Sequence, residues 1–573
     1  VYKVVILIFL YFIGLINYGQ EITLHVIFSP ATFEFNSYKK THPNEKSLQK
    51  ELQKIYSMLL SEGYLACSID SIYKSDQGIT AMIFTGNKYY YGKIKKGNVD
   101  EEALQYAGYK EKIFKAKILN NQQIQLLCER ILKFYEDRGY PFVSVKLDSM
   151  VFQENRLSAK LLLEKNKLFK VDSIIIKGNA QISKSYLYNY IKIKPGDLYN
   201  ETLLREVSSR LNEIPFIQVL RQPEIVFTDN DCRLMLYIDK KRAGNINGVA
   251  GILPDNRTGK IVISGDARLN LKNIFGKGEQ IDLNWRRLNN NVQDLKTGFA
   301  YPFLFNTSFG TDLGLKLFKK DTTFLEITRM AAVQYYLKGG SYFKVFGSFY
   351  NSNLLTPKMF ANATVLPAFA DVSTSLYGIG IKHERLDYRI NPRKGFNVLM
   401  DVSAGYKKIT KNPALNEMLY DNVKLKSIQY HIQSFSELYI PLFKRQTIRL
   451  ANQTAIIYNE NLFNNELMRI GGFRTLRGFD EESIFASLYS ITTAEYRFLL
   501  DKNSVFYLFF DQAYYERKLK DNNFADAPLG FGIGVNFETK AGIFTLNYAL
   551  GKQQNNPVLI RAAKIHFGFS AFL

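Results

Sequence analysis

The stretch Gly471-Gly472-Phe473-Arg474-Thr475-Leu476-Arg477-Gly478-Phe479-Asp480-Glu481-Glu482-Ser483 sets Arg477 in a turn bracketed by glycines. A guanidinium offers five donors in a planar fork and stays charged at any relevant pH. Its chemistry is therefore the fixed, charge-assisted gripping of an acidic group rather than proton transfer. In an exposed loop such a pair is worth roughly 0–1 kcal/mol; in a partly dehydrated space it counts for more. Residue sets for bond-making chemistry are missing. There is no G-x-S-x-G elbow, H-E-x-x-H pair or Walker loop, and His25, His42, His383, His431 and His566 are scattered. Cys67, Cys128 and Cys232 match neither a metal site nor a C-x-x-C pair, which predicts buried free thiols. The expectation is a protein with no enzymatic activity, cofactor or metal, whose energy comes from binding and folding of its partners.

The elements that must position this turn follow from composition and pattern. The chain has 573 residues, 46% apolar and 14% aromatic, with 37 Tyr, 43 Phe and a single Trp, Trp285. Rings at that density suit the aromatic girdles at the two interfaces of a membrane barrel. Lys and Arg number 75 against 53 Asp and Glu, a net charge of +22. No basic helix with interleaved stacking aromatics accompanies the excess, so it reads as adaptation to anionic lipid and headgroup phosphate, not to nucleic acid. Residues 1–19 join Lys3 to an apolar run from Val4 to Ile16. That run is short for a span and suits a secretory signal, cleaved near Gly19. No later window reaches about 18 apolar residues, so such an exported chain enters a membrane only as a closed barrel.

The N-terminal third repeats itself. Glu62-Gly63-Tyr64-Leu65-Ala66 returns as Arg138-Gly139-Tyr140-Pro141-Phe142 and, degenerately, as Glu213-Ile214-Pro215-Phe216-Ile217. Amphipathic helices over 48–60, 124–135 and 203–211 precede them; Leu127, Ile131 and Phe134 fall at helical spacing. A hairpin follows each copy, as in Ser68 to Tyr73 with Ile79 to Phe84. The unit is a small α+β module of strand, helices and hairpin. Its open sheet edge would offer unpaired N–H and C=O groups to an extended polypeptide; the alternative is a spacer.

From Gly244 onward the period changes to two. Phe396, Val398, Met400 and Val402 alternate with Asn397, Asp401 and Ser403, as strands between lipid and a wet lumen require. About sixteen such segments can be counted, with the Arg477 turn between the eleventh and twelfth. A soluble sandwich of that many long strands is disfavoured. A wide barrel with a polar interior leaks unless something occupies it. Near the end, Gly568 removes a side chain in mid-strand and weakens the closing strand.

Leu476-Arg477-Gly478-Phe479 resembles the (Val/Ile/Leu)-Arg-Gly-(Phe/Tyr) signature of the BamA/TamA outer-membrane assembly family. Phe509-Phe510-Asp511-Gln512-Ala513 resembles that family's aromatic-x-Asp-x-Gly strand, with Ala513 in place of glycine. Further similar segments follow in family order: Leu271 to Glu279, Tyr301-Pro302-Phe303, Asp387 to Gly395 and Gly530 to Gly534. Lys170 to Asn179 resembles the opening strand of a polypeptide-transport-associated (POTRA) domain. The resemblance implies that the loop folds into the lumen and that Arg477 meets Asp511, beside Phe509, on the inner wall. It implies a targeting strand carrying Phe567, Gly568, Phe569 and Phe572, and a closing seam that parts so that substrate strands can pair with it.

The expected fold class is α+β POTRA repeats followed by an all-β transmembrane barrel of about 16 antiparallel strands. The expected domains are a signal peptide (1–19), modules at 20–90, 91–167 and 168–242, and the barrel at 243–573. The resemblance places the chain in the bacterial outer membrane with its modules in the periplasm. It implies an insertion factor, most like the TamA branch, with unfolded outer-membrane or secreted polypeptides, outer-membrane lipid and a periplasm-spanning or accessory assembly protein as partners. A two-partner-type secretion translocase and a passive porin are the alternatives.

Overall fold

A computed structural model describes residues 22–30, 33, 37–75, 78–114, 117–229, 231–254, 261–288, 292–337, 340–357, 363, 365–388, 391–519, 522–539, 542–554, 558 and 560–572. The expected signal segment, 1–19, lies outside the described residues. The chain divides into two compact units, one of residues 1–173, 195–205 and 226–233, the other of residues 174–194, 206–225 and 234–573. Among the described residues no helix is long and apolar enough to cross a membrane.

In the first unit, helix Glu45–Ser61 begins at Asn44, whose side chain accepts from Ser47 N, and it buries Leu48, Leu52, Ile55 and Leu59. That stripe packs with Leu24, Phe28, Ala81 and Ile83 of a sheet. There Ile22–Ser29 pairs in parallel with Gly78–Phe84, the second strand of the hairpin begun by Ser68–Ser75. A parallel pair needs a crossover, which the helix supplies. The pattern recurs in Tyr90–Lys95, helix Asn121–Glu136 and the hairpin Ser144–Gln153/Arg156–Glu164, again with a parallel first-to-last pairing. Its core holds Leu127, Ile131, Phe134 and Tyr91. The Tyr91 hydroxyl donates to Asn120 O at 2.6 Å, and burial pushes its phenol up to about 12. A third sheet of Val171–Lys177, Cys232–Lys240, Glu224–Phe227 and Ile217–Val219, with helices Lys184–Ile191 and Glu201–Glu213, is divided between the two units.

One joint is used twice in this unit. Gly63 O accepts from Tyr89 N at 2.8 Å, and Tyr89 O accepts from Leu119 N at 2.9 Å. Gly139 O accepts from Phe169 N at 2.7 Å, and Phe169 O from Tyr199 N at 3.0 Å. Gly63 and Gly139 have φ of +90° and +100°, and a Cβ would lie 2.8 Å from Tyr89 O at the first and 2.6 Å from the Leu168 side chain at the second. The repeated Gly-aromatic dipeptide is the sequence trace of this joint.

All three thiols are free. Cys67 and Cys232 are buried as expected, but Cys128 is only half-buried. It flanks the apolar stripe of its helix rather than lying within it. Burial raises each thiol, Cys232 to about 11 with Asp231 and Asp172 adding to the effect.

The second unit contains a closed barrel of sixteen antiparallel strands, running from Asn245–Pro254 to Lys564–Phe572; the fourteenth is split into Asn522–Asp526 and Leu529–Thr539. Alternation sets its two faces. Val398, Met400 and Val402 are 38–43% exposed outward, whereas Ser403 between the same turns is 6% exposed. Exposed rings gather at both rims, with Phe309 against Tyr335 at 5.2 Å near one and Tyr430 against Tyr458 at 6.3 Å near the other. Neighbouring strands share long ladders: Asp371–Leu386 and Gly395–Thr410 pair along their full lengths. Closure is different, because among the described residues the first and last strands share only the pairs Asn245–Phe572, Ile246–Ala571 and Asn247–Ser570.

Candidate functional site: the lumen loop and the closing seam

The connection between the eleventh strand (Gln446–Tyr458) and the twelfth (Leu488–Leu499) begins and ends as a short ribbon, Met468–Ile470 against Ile484–Ala486. At its tip Gly471 and Gly472 adopt φ of +113° and +93°, and Gly478 adopts +89°. Thr475 Oγ1 closes the turn, accepting from Gly471 N at 2.8 Å and donating to Gly471 O at 2.9 Å. Glu481 accepts from Phe473 N at 2.8 Å. These bonds hold the tip in one shape before any contact with the wall.

Arg477 is 8% exposed and meets Asp511 of the thirteenth strand (Val505–Leu519). Its Nε donates to Oδ2 at 2.7 Å, its Nη2 to Oδ1 at 2.6 Å, and its backbone N to Oδ2 at 3.3 Å. The guanidinium carbon lies 3.7 Å from the centre of the Phe509 ring. Asp511 is fully buried and also accepts from Thr493 Oγ1 at 2.8 Å. Leu476 and Phe479 point the other way, into an apolar cluster with Ile470, Tyr489, Ala513 and Tyr515. Ala513, where the resembling strand has glycine, is thus part of the loop's seat. Gly478 rests against wall backbone: a Cβ there would stand 2.6 Å from Leu550 O, and one on Gly530 would stand 2.0 Å from Arg477 O.

Several contributors were not singled out from sequence. Glu495 accepts from Arg477 Nη1 at 2.8 Å and from Arg449 Nη1 at 3.1 Å. Its signal was present, since Thr493, Glu495 and Arg497 form a polar run at period two along the strand. Further tethers spread around the wall. Glu482 bonds Arg286 of the third strand, Arg469 bonds Glu326 of the sixth, Asn465 Nδ2 donates to Ser352 Oγ of the seventh at 2.7 Å, Lys407 of the ninth reaches Glu466 at 2.6 Å, and Lys564 of the last reaches Asp480 at 2.7 Å. No pattern in the sequence pairs such distant positions.

On the closing strand Phe567 is 55% exposed outward, Phe569 packs on Phe544 at 4.6 Å, and Gly568 pairs with Thr545. The Phe572 backbone pairs with Asn245, and its side chain lies outside the described residues. The turn Leu271 to Glu279 is held by its own acid, Glu279, which accepts from Phe275 N at 2.5 Å and Lys277 N at 3.0 Å. Asp387 accepts from Arg393 N at 2.9 Å in its turn, of which Arg389 and Ile390 lie outside the described residues. Among the described residues no His, Cys, Asp and Glu cluster is arranged to hold a metal ion.

Residues 169–240 match the POTRA model, described as a surface antigen variable number repeat. The chain is 22% identical over 303 residues to the outer membrane protein assembly factor BamA of Buchnera aphidicola, covering 50% of this chain and 47% of that protein. It therefore spans about half the length of that relative. CdiB from Escherichia coli shares the fold with a TM-score of 0.55 at 10% identity, covering 92% of this chain and 98% of that one. CdiB from Acinetobacter baumannii does so with a TM-score of 0.51 at 14% identity, covering 92% and 96%. The architecture is a periplasmic POTRA region ahead of an outer-membrane barrel. Residues 273–572, more than half of the chain, match the Omp85 superfamily domain, and the protein belongs to that superfamily.

Proposed function

We propose that this protein takes unfolded outer-membrane or secreted polypeptides from the periplasm and assembles them into the outer membrane; its Buchnera relative is named an outer membrane protein assembly factor. The observation that carries the reading is the seam. Ladder bonds hold every other strand pair over most of its length, while closure among the described residues rests on three residue pairs, so the barrel parts there at least cost. A parted seam presents unpaired backbone groups on both strands, the template on which an incoming strand pairs.

Modules at 20–90, 91–167 and 168–242 deliver the client to the barrel at 243–573. In the second, Ser144–Gln153 is an edge strand, and Met150, Val151 and Phe152 on it are 55–58% exposed. That edge suits an extended client or an accessory assembly protein. The Arg477 loop seals the lumen while the seam works. A translocase passing clients through the lumen would first have to release tethers on strands all around the wall, which weighs against it. The paired substitution Asn247→Cys and Ser570→Cys tests the choice. Oxidation should abolish client assembly and reduction restore it; full activity in the locked form would refute the seam reading and favour the lumen.

A further inference from the structure

Beside the seam the wall holds a cavity of about 410 Å³. On the closing strand its lining runs through every residue from Ile565 to Ser570. Consecutive strand residues face opposite sides of a sheet, so a cavity touching all of them passes round the strand edge and joins lumen to lipid. Its outer lip is apolar, with Ile565 and Phe567 71% and 55% exposed. Its inner end is cationic, lined by Arg268, Arg286 and Arg474 with His566, while Arg287, which follows Arg286 on the strand, lines it from the opposite face. Asp266 engages Arg268 through bonds of 2.9 and 2.8 Å, and Asp294, Glu481 and Glu482 engage Arg286. Arg287 and Arg474 have no carboxylate partner among the described residues.

A second observation lies in the same place. Arg268 Nη1, Arg286 Nε, Arg287 Nε and His566 Nε2 are buried without a hydrogen-bond partner. These four atoms are closed to solvent, so a ligand would meet the other edges of the same guanidinium groups, and such a cluster around one cavity is met by a multidentate oxyanion. We infer that this cavity binds the phosphate headgroup of an anionic lipid, whose acyl chains leave over Ile565 and Phe567. A soluble anion has no use for the apolar exit, and a polypeptide strand pairs with backbone edges rather than with guanidinium groups. The inference stands apart from client assembly, so either can fail without the other.

Trp285, the single tryptophan, adjoins Arg286 and Arg287 and is 42% exposed, which makes it a reporter. The full chain would be placed in phosphatidylcholine nanodiscs doped with brominated phosphatidylglycerol or brominated phosphatidylcholine, and quenching of Trp285 titrated. The anionic lipid should quench at the lower mole fraction. Arg287→Ala and Arg474→Ala should each reduce that preference by roughly fivefold, Arg287→Lys should keep most of it, and heat-modifiable gel mobility should show the barrel closed in all three. Equal quenching by the two lipids in the unaltered protein, or an unchanged preference in the double alanine variant, would overturn the inference. Inorganic phosphate competing as well as the lipid would make this a free-anion site, and a peptide with a free terminal carboxylate doing so would make it a polypeptide site; either result defeats the lipid assignment.

Discussion

Replacing Asp511 with alanine removes the acceptor of three Arg477 N–H bonds and leaves a guanidinium 8% exposed in the lumen. Breaking a buried pair from one side costs about 3–5 kcal/mol, most of it the penalty of the charge left behind. Arg477 keeps Glu495 at 2.8 Å and the face of Phe509 at 3.7 Å, which puts this loss near the lower end. About 3 kcal/mol corresponds to a shift of more than 100-fold, roughly, in the balance between seated and released loop. Arg477→Ala should cost at least as much, since fully buried Asp511 then keeps only the Thr493 hydroxyl and the backbone N–H of residue 477. The double variant removes both charges, so the two costs should fail to add, with a coupling of about 2 kcal/mol. Hydrogen exchange across residues 459–487, followed by mass spectrometry in nanodiscs, reads the seated fraction, and client assembly is measured in parallel. The barrel should still form in every variant, because none touches a ladder bond. Additive costs in the cycle, or loop protection and full assembly retained in both single variants, would refute the reasoning.

Gly530→Val should unseat the same loop by a steric route, since a Cβ there would stand 2.0 Å from Arg477 O; planar-bilayer recordings should show larger and more frequent openings, and an unchanged trace would count against the seat. Cys232, with its thiol pushed up to about 11 by burial, should be alkylated slowly at pH 8, where roughly one thiol in a thousand is ionised. The folded state holds that proton more tightly than the unfolded chain does, so the stabilisation is complete below the ordinary thiol range and is lost as pH rises from about 8.5 towards 11. Labelling at pH 8 as fast as in the denatured chain would contradict it.

How much could be read beforehand depended on whether the signal was local. The helix over 45–61 and the strand over 395–410 announce themselves by period alone, because burial on one face dictates the spacing of apolar residues. Arg477 was legible as a gripping group from its glycine bracket. Its partner Asp511 came from a family resemblance, since nothing in spacing joins positions 34 residues apart on different elements. Glu495 sat in plain view on a polar face, yet a carboxylate facing a lumen looks the same whether it meets an arginine or water. The wall tethers from Arg286, Glu326 and Lys407 depend on the circumference of the closed barrel, a property of the whole sheet that no segment carries. Cys128 departed from expectation for a related reason, because one helical position decides between stripe and flank.

The joint built on Gly63, Tyr89 and Leu119, and again on Gly139, Phe169 and Tyr199, is a coupling of standard gauge. Each end presents the same backbone groups, so the copies are interchangeable as far as their couplings are concerned. A gene duplication or loss falling between two such glycines would lengthen or shorten the periplasmic arm by one whole carriage without refitting the next. The number of modules is accordingly free to change while the barrel stays as it is.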